Sequence, residues 1–380
     1  MIDNDEQVFD QLIDKMLKEP LSFSDAELDK LISHGLNFND LRDCLTRIYD
    51  LNDEQLSTES ISNTGLLGIL NRSSNKARKS KYYKRIESQN RGVNYKHIFA
   101  EGDSWFQFPY FVKDVVDWLN DRDDYLIYCE SSAGDWFTNI LYESRIVPAL
   151  STYGSAYFLI SGGGNDLVGS DRIACMVSTK PQPLRYTISS QIADPTITDD
   201  QRKIVIDAQP FITKEFYAYL WVIKAQYKIL FGNLYAENNK HKNVISITHG
   251  YDYAIPSNRL GFDFKYPYQP IVNHLIQSGK WLFNPMMIKG IKNRYAQKAI
   301  MFTFIYEFNQ IFIDLAKEFE NVYHIDCRGV AESRDDWFDE MHLKDHAYRK
   351  IAKAYQYIID GKNVNCDKVV WAKEFKGDDL

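Results

Sequence analysis

Ile98-Phe99-Ala100-Glu101-Gly102-Asp103-Ser104 passes from an apolar run into a polar, glycine-containing turn. A buried strand of a parallel sheet leaves its sheet in this way. The same transition recurs twice. Tyr125-Leu126-Ile127-Tyr128-Cys129 ends at Ser131–Gly134, and Tyr157-Phe158-Leu159-Ile160 ends at Gly162–Asn165. Ser104 and Gly134 are 30 positions apart and Gly134 and Asn165 are 31, close to the ~30-residue length of a βαβ step. Helical stretches over Phe111–Leu119 and Ile140–Leu150 fill the intervals, and Val244–Ile247 and Val322–Ile325 supply two further strands. Strands alternating with helices predict an α/β fold with a parallel sheet covered on both faces. The carboxyl ends of such strands share one edge, where ligands bind. Ser104, Gly134 and Asn165 are therefore expected to converge.

Serine becomes a nucleophile when a base takes its proton and donors hold the developing oxyanion. The base candidate is His342, in Asp339-Glu340-Met341-His342. A carboxylate three residues before a histidine can reach its Nδ1, fix the tautomer and stabilise the imidazolium. The oxyanion donors are the backbone N–H groups of Ser104 and Gly134 and the side-chain amide of Asn165. Three such donors require no metal, and no cofactor is expected.

Gly102-Asp103-Ser104, Gly134, Gly163-Gly164-Asn165-Asp166 and Asp339-x-x-His342, in that order, resemble the SGNH hydrolases, also called the GDSL esterase/lipase superfamily. The resemblance covers about residues 97–360. It implies a flavodoxin-like three-layer α/β/α sandwich, with Ser104 as nucleophile, His342 as base and Asp339 orienting it. It also implies an oxyanion hole of Ser104, Gly134 and Asn165. The chain departs from the family pattern at Trp105, where a Leu is usual, and in the aromatic Phe106-Gln107-Phe108-Pro109 that follows. Rival enzyme readings lack their motifs: there is no G-x-S-x-G elbow, no phosphate loop after Gly162-Gly163-Gly164 and no H-E-x-x-H helix. Asp166 reads as a brace for its glycine turn and His346 as a surface residue. His249 and Asp252 follow the fourth strand on the same edge, so His249, with Trp105, is a candidate substrate contact. A structural histidine is the equal alternative.

The 380 residues carry a formal charge of −7, with 44% hydrophobic and 26% charged residues. That is a normal globular composition, and its mild acidity disfavours a surface devoted to nucleic acid. Met1-Ile2-Asp3-Asn4-Asp5-Glu6 lacks the basic and apolar regions of a signal peptide. Five dispersed cysteines form no CxxC pair and fit reduced thiols in a cytosol. The expected location is cytoplasmic.

The chain divides by composition. Residues 1–57 read as a small helical bundle, with a capping box at Ser24 and Glu27, leaning on a partner or on the main domain. Residues 58–96 read as a basic linker. Its cations, from Arg72 to Lys96, suit either a solvated segment with a short helix near Tyr82–Ile86 or a patch for an anionic membrane surface. Residues 97–365 form the hydrolase domain, with an enlarged insert at about 170–295, and residues 366–380 a C-terminal tail. Within the insert, Phe262, Phe264, Tyr266, Tyr268, Trp281, Phe283, Met286 and Met287 suggest an acyl-binding cap or ordinary core filling. The reading is a serine esterase or lipase acting through an acyl-serine, with a lipid or lysophospholipid ester as first substrate. A carbohydrate O-acetyl esterase, or a non-catalytic binding protein that keeps the fold, are the alternatives.

Overall fold

Each strand is a short apolar run with little room for solvent on either face. In Tyr125–Cys129 every residue is buried, which is the pattern a parallel sheet needs when helices cover both sides. The computed structural model describes residues 2–51, 65–89, 92–108, 112–142, 145–183, 196–257 and 280–376. In it β1 (Lys96–Gly102), β2 (Tyr125–Cys129), β3 (Tyr157–Ser161), β4 (Ile245–His249), β5 (Val322–Asp326) and β6 (Val369–Trp371) form one parallel sheet. The order is β2-β1-β3-β4-β5-β6. The protein is thus α/β, and its strand order reverses at β1. A crevice opens where the chain leaves in opposite directions from β1 and β3.

Among the described residues the helices are α1 (Ile2–Lys18), α2 (Asp25–Ser33), α3 (Phe38–Tyr49), α4 (Gly65–Glu87), α5 (Val115–Leu119), α6 (Phe137–Tyr142), α7 (Ile146–Tyr153), α8 (Gly164–Val168), α9 (Ile173–Met176), α10 (Asp199–Ala208), α11 (Lys214–Leu234), α12 (Phe283–Ile288), α13 (Arg294–Glu318) and α14 (Asp345–Ile359). On one side α13 packs against α11 and β5; α14 packs against α5 and also reaches β5. The α13 helix is buried on most sides and long enough to cross a bilayer, and 83% of its most apolar stretch is buried within the fold. Its polar residues, among them Gln297, Glu307 and Asn309, are spread around the helix and not gathered on one face, so it gives only a weak 3.6-residue signal, and the sequence reading passed over it.

The N-terminal bundle docks on α11. The Ser24 capping box forms, Ser24 N–H donating to Glu27 Oε2 at 3.0 Å. Lys224 and Lys228 of α11 pair with Asp25 and Asp29 of α2 at 2.6 and 2.5 Å. Trp221 Nε1 donates to Pro20 O at 2.9 Å, and Tyr49 Oη donates to Asp166 O at 2.6 Å. The bundle therefore touches the turn after β3 directly.

Two boundaries differ from the sequence reading. Residues 65–87, expected within a solvated linker, form α4, a full helix packed on β2. Arg78 is the reason. Its guanidinium is buried and donates to Asp114 Oδ2 at 2.6 Å and Phe106 O at 2.5 Å. Lys79 pairs with Glu130 at 2.8 Å, and Lys81 and Arg85 both donate to Asn120 O. These side chains bind the domain's own carboxylates and carbonyls. The C-terminal tail likewise contributes β6, whose Asp326↔Trp371 pairing extends the sheet beyond β5. In the insert, α11 and β4 are parts of the sheet and its cover. Phe262, Phe264, Tyr266 and Tyr268 lie outside the described residues.

Two histidines sit inside the sheet. His249 Nδ1 bonds Gly250 O at 2.6 Å, and His324 Nδ1 bonds Thr248 Oγ1 at 3.0 Å beneath the stacked ring of Phe312. Burial lowers both pKa values from the usual 6.5, so both rings stay neutral in the fold. Below pH 6.5 the unfolded chain binds protons that the folded chain refuses. Stability then falls as pH falls, by up to about 1.4 kcal/mol per pH unit for each ring. Buried carboxyls with raised pKa values, Glu101 and Glu340, act in the opposite sense over the same range, so the histidine contribution is read as a difference: as pH falls from 7.5 to 5.5 the urea midpoint of His324→Gln is expected to rise relative to that of the wild type. A midpoint difference between the two proteins that stays constant with pH would contradict a neutral His324.

Candidate active site

The turn after β1 is built so that Ser104 stands clear of the strand. Gly102 lies so close to β3 that a Cβ there would sit 2.4 Å from Ser161 O. Asp103 then fixes the turn from both sides. Its Oδ1 accepts from Trp105 N–H and Ser161 Oγ, each at 3.0 Å, and its Oδ2 accepts from Tyr251 Oη. Gly164 N–H donates to the same tyrosine oxygen at 3.0 Å. One tyrosine from the β4 loop thereby couples the turn after β1 to the turn after β3. Sequence reading missed Tyr251 because its partners lie 148 and 87 positions away.

Ser104 Oγ lies 2.7 Å from His342 Nε2, and His342 Nδ1 lies 2.7 Å from Asp339 Oδ2. Ser104 and His342 are 238 positions apart in sequence. The second oxygen of Asp339 accepts from the backbone N–H of Met341 at 2.8 Å and His342 at 2.7 Å. That carboxylate is held by the turn it closes, and it orients the imidazole. The Phe108 ring lies 4.2 Å from the imidazole ring and Trp281 meets it edge-on at 6.0 Å. These rings keep water off the imidazole, which strengthens the electrostatic coupling along the chain of bonds. Ser104 and His342 are 7% and 4% exposed.

Of the expected oxyanion residues, Ser104 and Asn165 line one pocket. The Asn165 amide donates to Asp135 O at 2.9 Å, which uses one N–H and leaves the other for a ligand. Gly134 stands in the neighbouring loop at φ +88°, a left-handed conformation that favours glycine; it is not part of the pocket wall. Asp166 binds Phe137 N–H at 2.7 Å and Thr138 Oγ1 at 3.2 Å, bracing the start of α6.

The loop carrying Gly134 is clamped from outside the sheet. Asn71 of α4 donates through Nδ2 to Ala133 O at 3.1 Å and accepts through Oδ1 from Ala133 N–H at 3.3 Å. Asn75 Nδ2 donates to Ser131 O at 3.0 Å. Neither asparagine is suggested by sequence, since the helix that carries them is interrupted by Ser73, Ser74 and charged residues without an apolar stripe.

The pocket beside Ser104 is narrow, with a cavity volume of about 40 Å³. Its wall is largely apolar, with Leu167, Val168, Leu282, Met301, Ile305 and Phe308. Trp105 lies in this wall, its Nε1 donating to Met341 O at 3.2 Å. His249 does not reach it. The imidazole stacks behind Trp105 at 5.5 Å and is 1% exposed, so it supports Trp105 in place of contacting a substrate. Asp252 accepts from Gly329 and Ala331 N–H, both at 2.6 Å, and organises the loop after β5. His346 pairs with Asp336 on the surface at 2.7 Å.

Glu340, inside the Asp339–His342 turn, is a buried carboxyl that accepts from Ser257 N–H at 2.6 Å and Leu282 N–H at 2.8 Å. Burial pushes its pKa up to about 7 against those bonds. It fastens Leu282 of the pocket wall to the turn that carries His342. Comparison with family models, curated proteins and solved structures finds no match to this chain.

Proposed function

We propose that the protein is a serine ester hydrolase of the SGNH type, acting on a carboxylic ester with an apolar acyl chain. The observation that carries this reading is the unbroken hydrogen-bond chain from Ser104 Oγ through His342 to Asp339, beside a cleft at the reversal of strand order. His342 Nε2 takes the Ser104 proton as Oγ attacks the ester carbonyl. Asp339 stabilises the resulting imidazolium, and the second Asn165 N–H is positioned to hold charge on the former carbonyl oxygen. The tetrahedral species collapses as His342 returns the proton to the departing alcohol, leaving an acyl-serine. Water, deprotonated by His342, adds to that ester, and its collapse frees the carboxylic acid and restores Ser104. No step needs a metal.

The apolar wall of the pocket supports an acyl chain, since leucine, methionine and phenylalanine side chains reward CH₂ groups at about 0.8 kcal/mol each. A single acetyl group would leave most of that wall unused. The test is direct: a fluorophosphonate probe is expected to label the protein, with the modified peptide containing Ser104. Across p-nitrophenyl esters, kcat/KM is expected to rise from acetyl to medium-chain acyl groups. Failure to label, or label on another residue, would refute the hydrolase; a clear acetyl preference would refute the acyl-chain assignment.

The clamp on the Gly134 loop yields a graded expectation. Removing a direct oxyanion donor costs about 10²–10³ in kcat, and Asn71 acts one step further away. Asn71→Ala is therefore expected to lower kcat about tenfold with KM little changed and a normal pH profile. A rise in KM alone would mean that Asn71 serves α4 docking and not the loop.

A further inference from the structure

The turn that carries Asn165 holds its shape through partners from outside it. Its helix, α8, has five residues, and the N-cap residue Gly163 has no side chain to close the first turn. A single helical turn is unstable alone, and its terminal peptide groups must bond elsewhere. Tyrosine hydroxyls meet that need. Tyr227 Oη donates to Gly162 O at 3.1 Å and Tyr219 Oη donates to Gly163 O, both from α11. Tyr251 Oη accepts from Gly164 N–H at 3.0 Å. Tyr49 Oη, at the end of α3 in the N-terminal bundle, donates to Asp166 O at 2.6 Å. All four rings are buried. Burial raises the pKa of Tyr219, Tyr227 and Tyr251 well above the usual 10, so these hydroxyls keep their protons.

The bonds bracket Asn165. Before it, the peptide group between Gly163 and Gly164 is held at both ends, the carbonyl by Tyr219 and the N–H by Tyr251. After it, the Asp166 carbonyl is held by Tyr49. Asn165 itself lines the pocket at Ser104, and its amide donates to Asp135 O at 2.9 Å. Tyr219, Tyr227 and Tyr251 belong to the sheet's own cover and loops. Tyr49 comes from outside the strand–helix repeat, 117 positions from its acceptor.

The bundle is seated firmly enough to transmit this contact. Its α3 packs on α11 and α6, with Leu41, Cys44, Leu45 and Ile48 buried, and Phe23 meets Trp221 edge-on at 5.2 Å. A bundle that only covered apolar surface would use a phenyl ring at position 49 as well as a phenol. The hydroxyl aimed at the turn has a separate purpose.

We propose that Tyr49 is a positioning residue for Asn165, so that the N-terminal bundle completes the Ser104 site. The proposal rests on the hydrolase reading, in which the second Asn165 N–H holds charge on the former carbonyl oxygen. Tyr49 touches no reacting atom. It fixes the carbonyl one residue beyond Asn165, and the direction of the Asn165 amide follows from that backbone. The oxyanion forms only as the reaction proceeds, so looser positioning costs rate and leaves ester binding unchanged.

Tyr49→Phe removes one oxygen and keeps the ring. In the full chain, with a medium-chain p-nitrophenyl ester, kcat is expected to fall about tenfold at unchanged KM, because losing a direct oxyanion donor costs about 10²–10³. In an Asn165→Ala background the same substitution is expected to change kcat less than about twofold, a coupling that a general loss of stability would not produce. Tyr235→Phe is the control. Its hydroxyl bonds Ser246 Oγ at 2.6 Å and Asn321 O at 3.2 Å, at the amino end of β4, and its kcat is expected to match wild type. Amide hydrogen exchange, followed by mass spectrometry without any ester, should quicken at least about tenfold over residues 163–168 in Tyr49→Phe and stay at the wild-type rate in Tyr235→Phe. Wild-type kcat in Tyr49→Phe, an equal loss in the Asn165→Ala background, a matching loss in Tyr235→Phe, or unchanged exchange over residues 163–168 overturns the proposal. A wild type that turns over no ester refutes the hydrolase reading and takes the proposal with it; an active wild type with an unaffected Tyr49→Phe refutes the proposal alone.

Discussion

Ser104→Ala is expected to abolish fluorophosphonate labelling and to lower ester turnover at least about 10⁴-fold. That is the scale seen when a serine triad loses its nucleophile, with a residual rate left to the remaining oxyanion donors and binding. The structure gives the substitution few other consequences. Ser104 Oγ has His342 Nε2 as its described partner, at 2.7 Å, and the turn around it is held by Asp103, Ser161 and Tyr251. Thermal stability should therefore stay within about 1 kcal/mol of wild type. His342→Gln should match the loss in turnover, and the double variant should lose no more than either single one, because the two residues act as a unit. Substantial turnover in Ser104→Ala would end the serine mechanism even if the fold were unchanged.

The largest effect on stability is expected from Arg78→Met. The guanidinium lies within the fold and bonds Asp114 Oδ2, Asp117 Oδ1 and Phe106 O. Burial opposes its charge, but Asp114 and Asp117 raise its pKa and keep it ionised. Asp114 in turn caps α5 by accepting from Asp117 N–H at 3.1 Å, and accepts from Phe108 N–H at 2.9 Å. Methionine fills the stem but leaves a buried carboxylate and a carbonyl unpaired. Breaking one partner of a buried pair costs about 3–5 kcal/mol, so a fall in Tm of several degrees is expected, with α4 losing its seat. Lys84→Ala, on the same helix and exposed, should leave Tm unchanged within error. Equal Tm values for wild type and Arg78→Met would show that α4 is held elsewhere. The contrast also matters for any membrane assay: neutralising Arg78 would report on folding, whereas Lys76 and Lys84 report on the surface.

Five strands and the residues of the Ser104 site could be read from the chain because local constraints write them there. A buried parallel strand must be a short apolar run, and the turn that leaves it must be polar and glycine-bearing, so β1, β2 and β3 announce both their existence and their ends. Asp339 and His342 share one turn, so their contact at 2.7 Å follows from spacing alone. Other features had no local signature. The helical character of α4 is set by where its cations find partners, and Arg78 finds Asp114 36 positions away. Its Asn71 reaches Ala133, 62 positions on. The short β6 has three residues, too few for any pattern, and becomes a strand because β5 offers it a free edge. His249 shares the carboxyl edge of the sheet in sequence terms, yet the Trp105 ring takes the place at the pocket and seals the histidine behind it.

The sequence by itself determined the first five strands, the α/β class and the pairing of Asp339 with His342, because each depends on contacts within about one structural unit. Tertiary structure alone decided that the helix once read as a linker braces the loop that carries Gly134, that Tyr251 joins two distant turns, and that Glu340 ties the pocket wall to the turn of His342. Those are pairings of single polar groups across the fold. Which donor meets which acceptor is fixed when burial removes water and each group must find a partner, and that selection happens after the elements have packed.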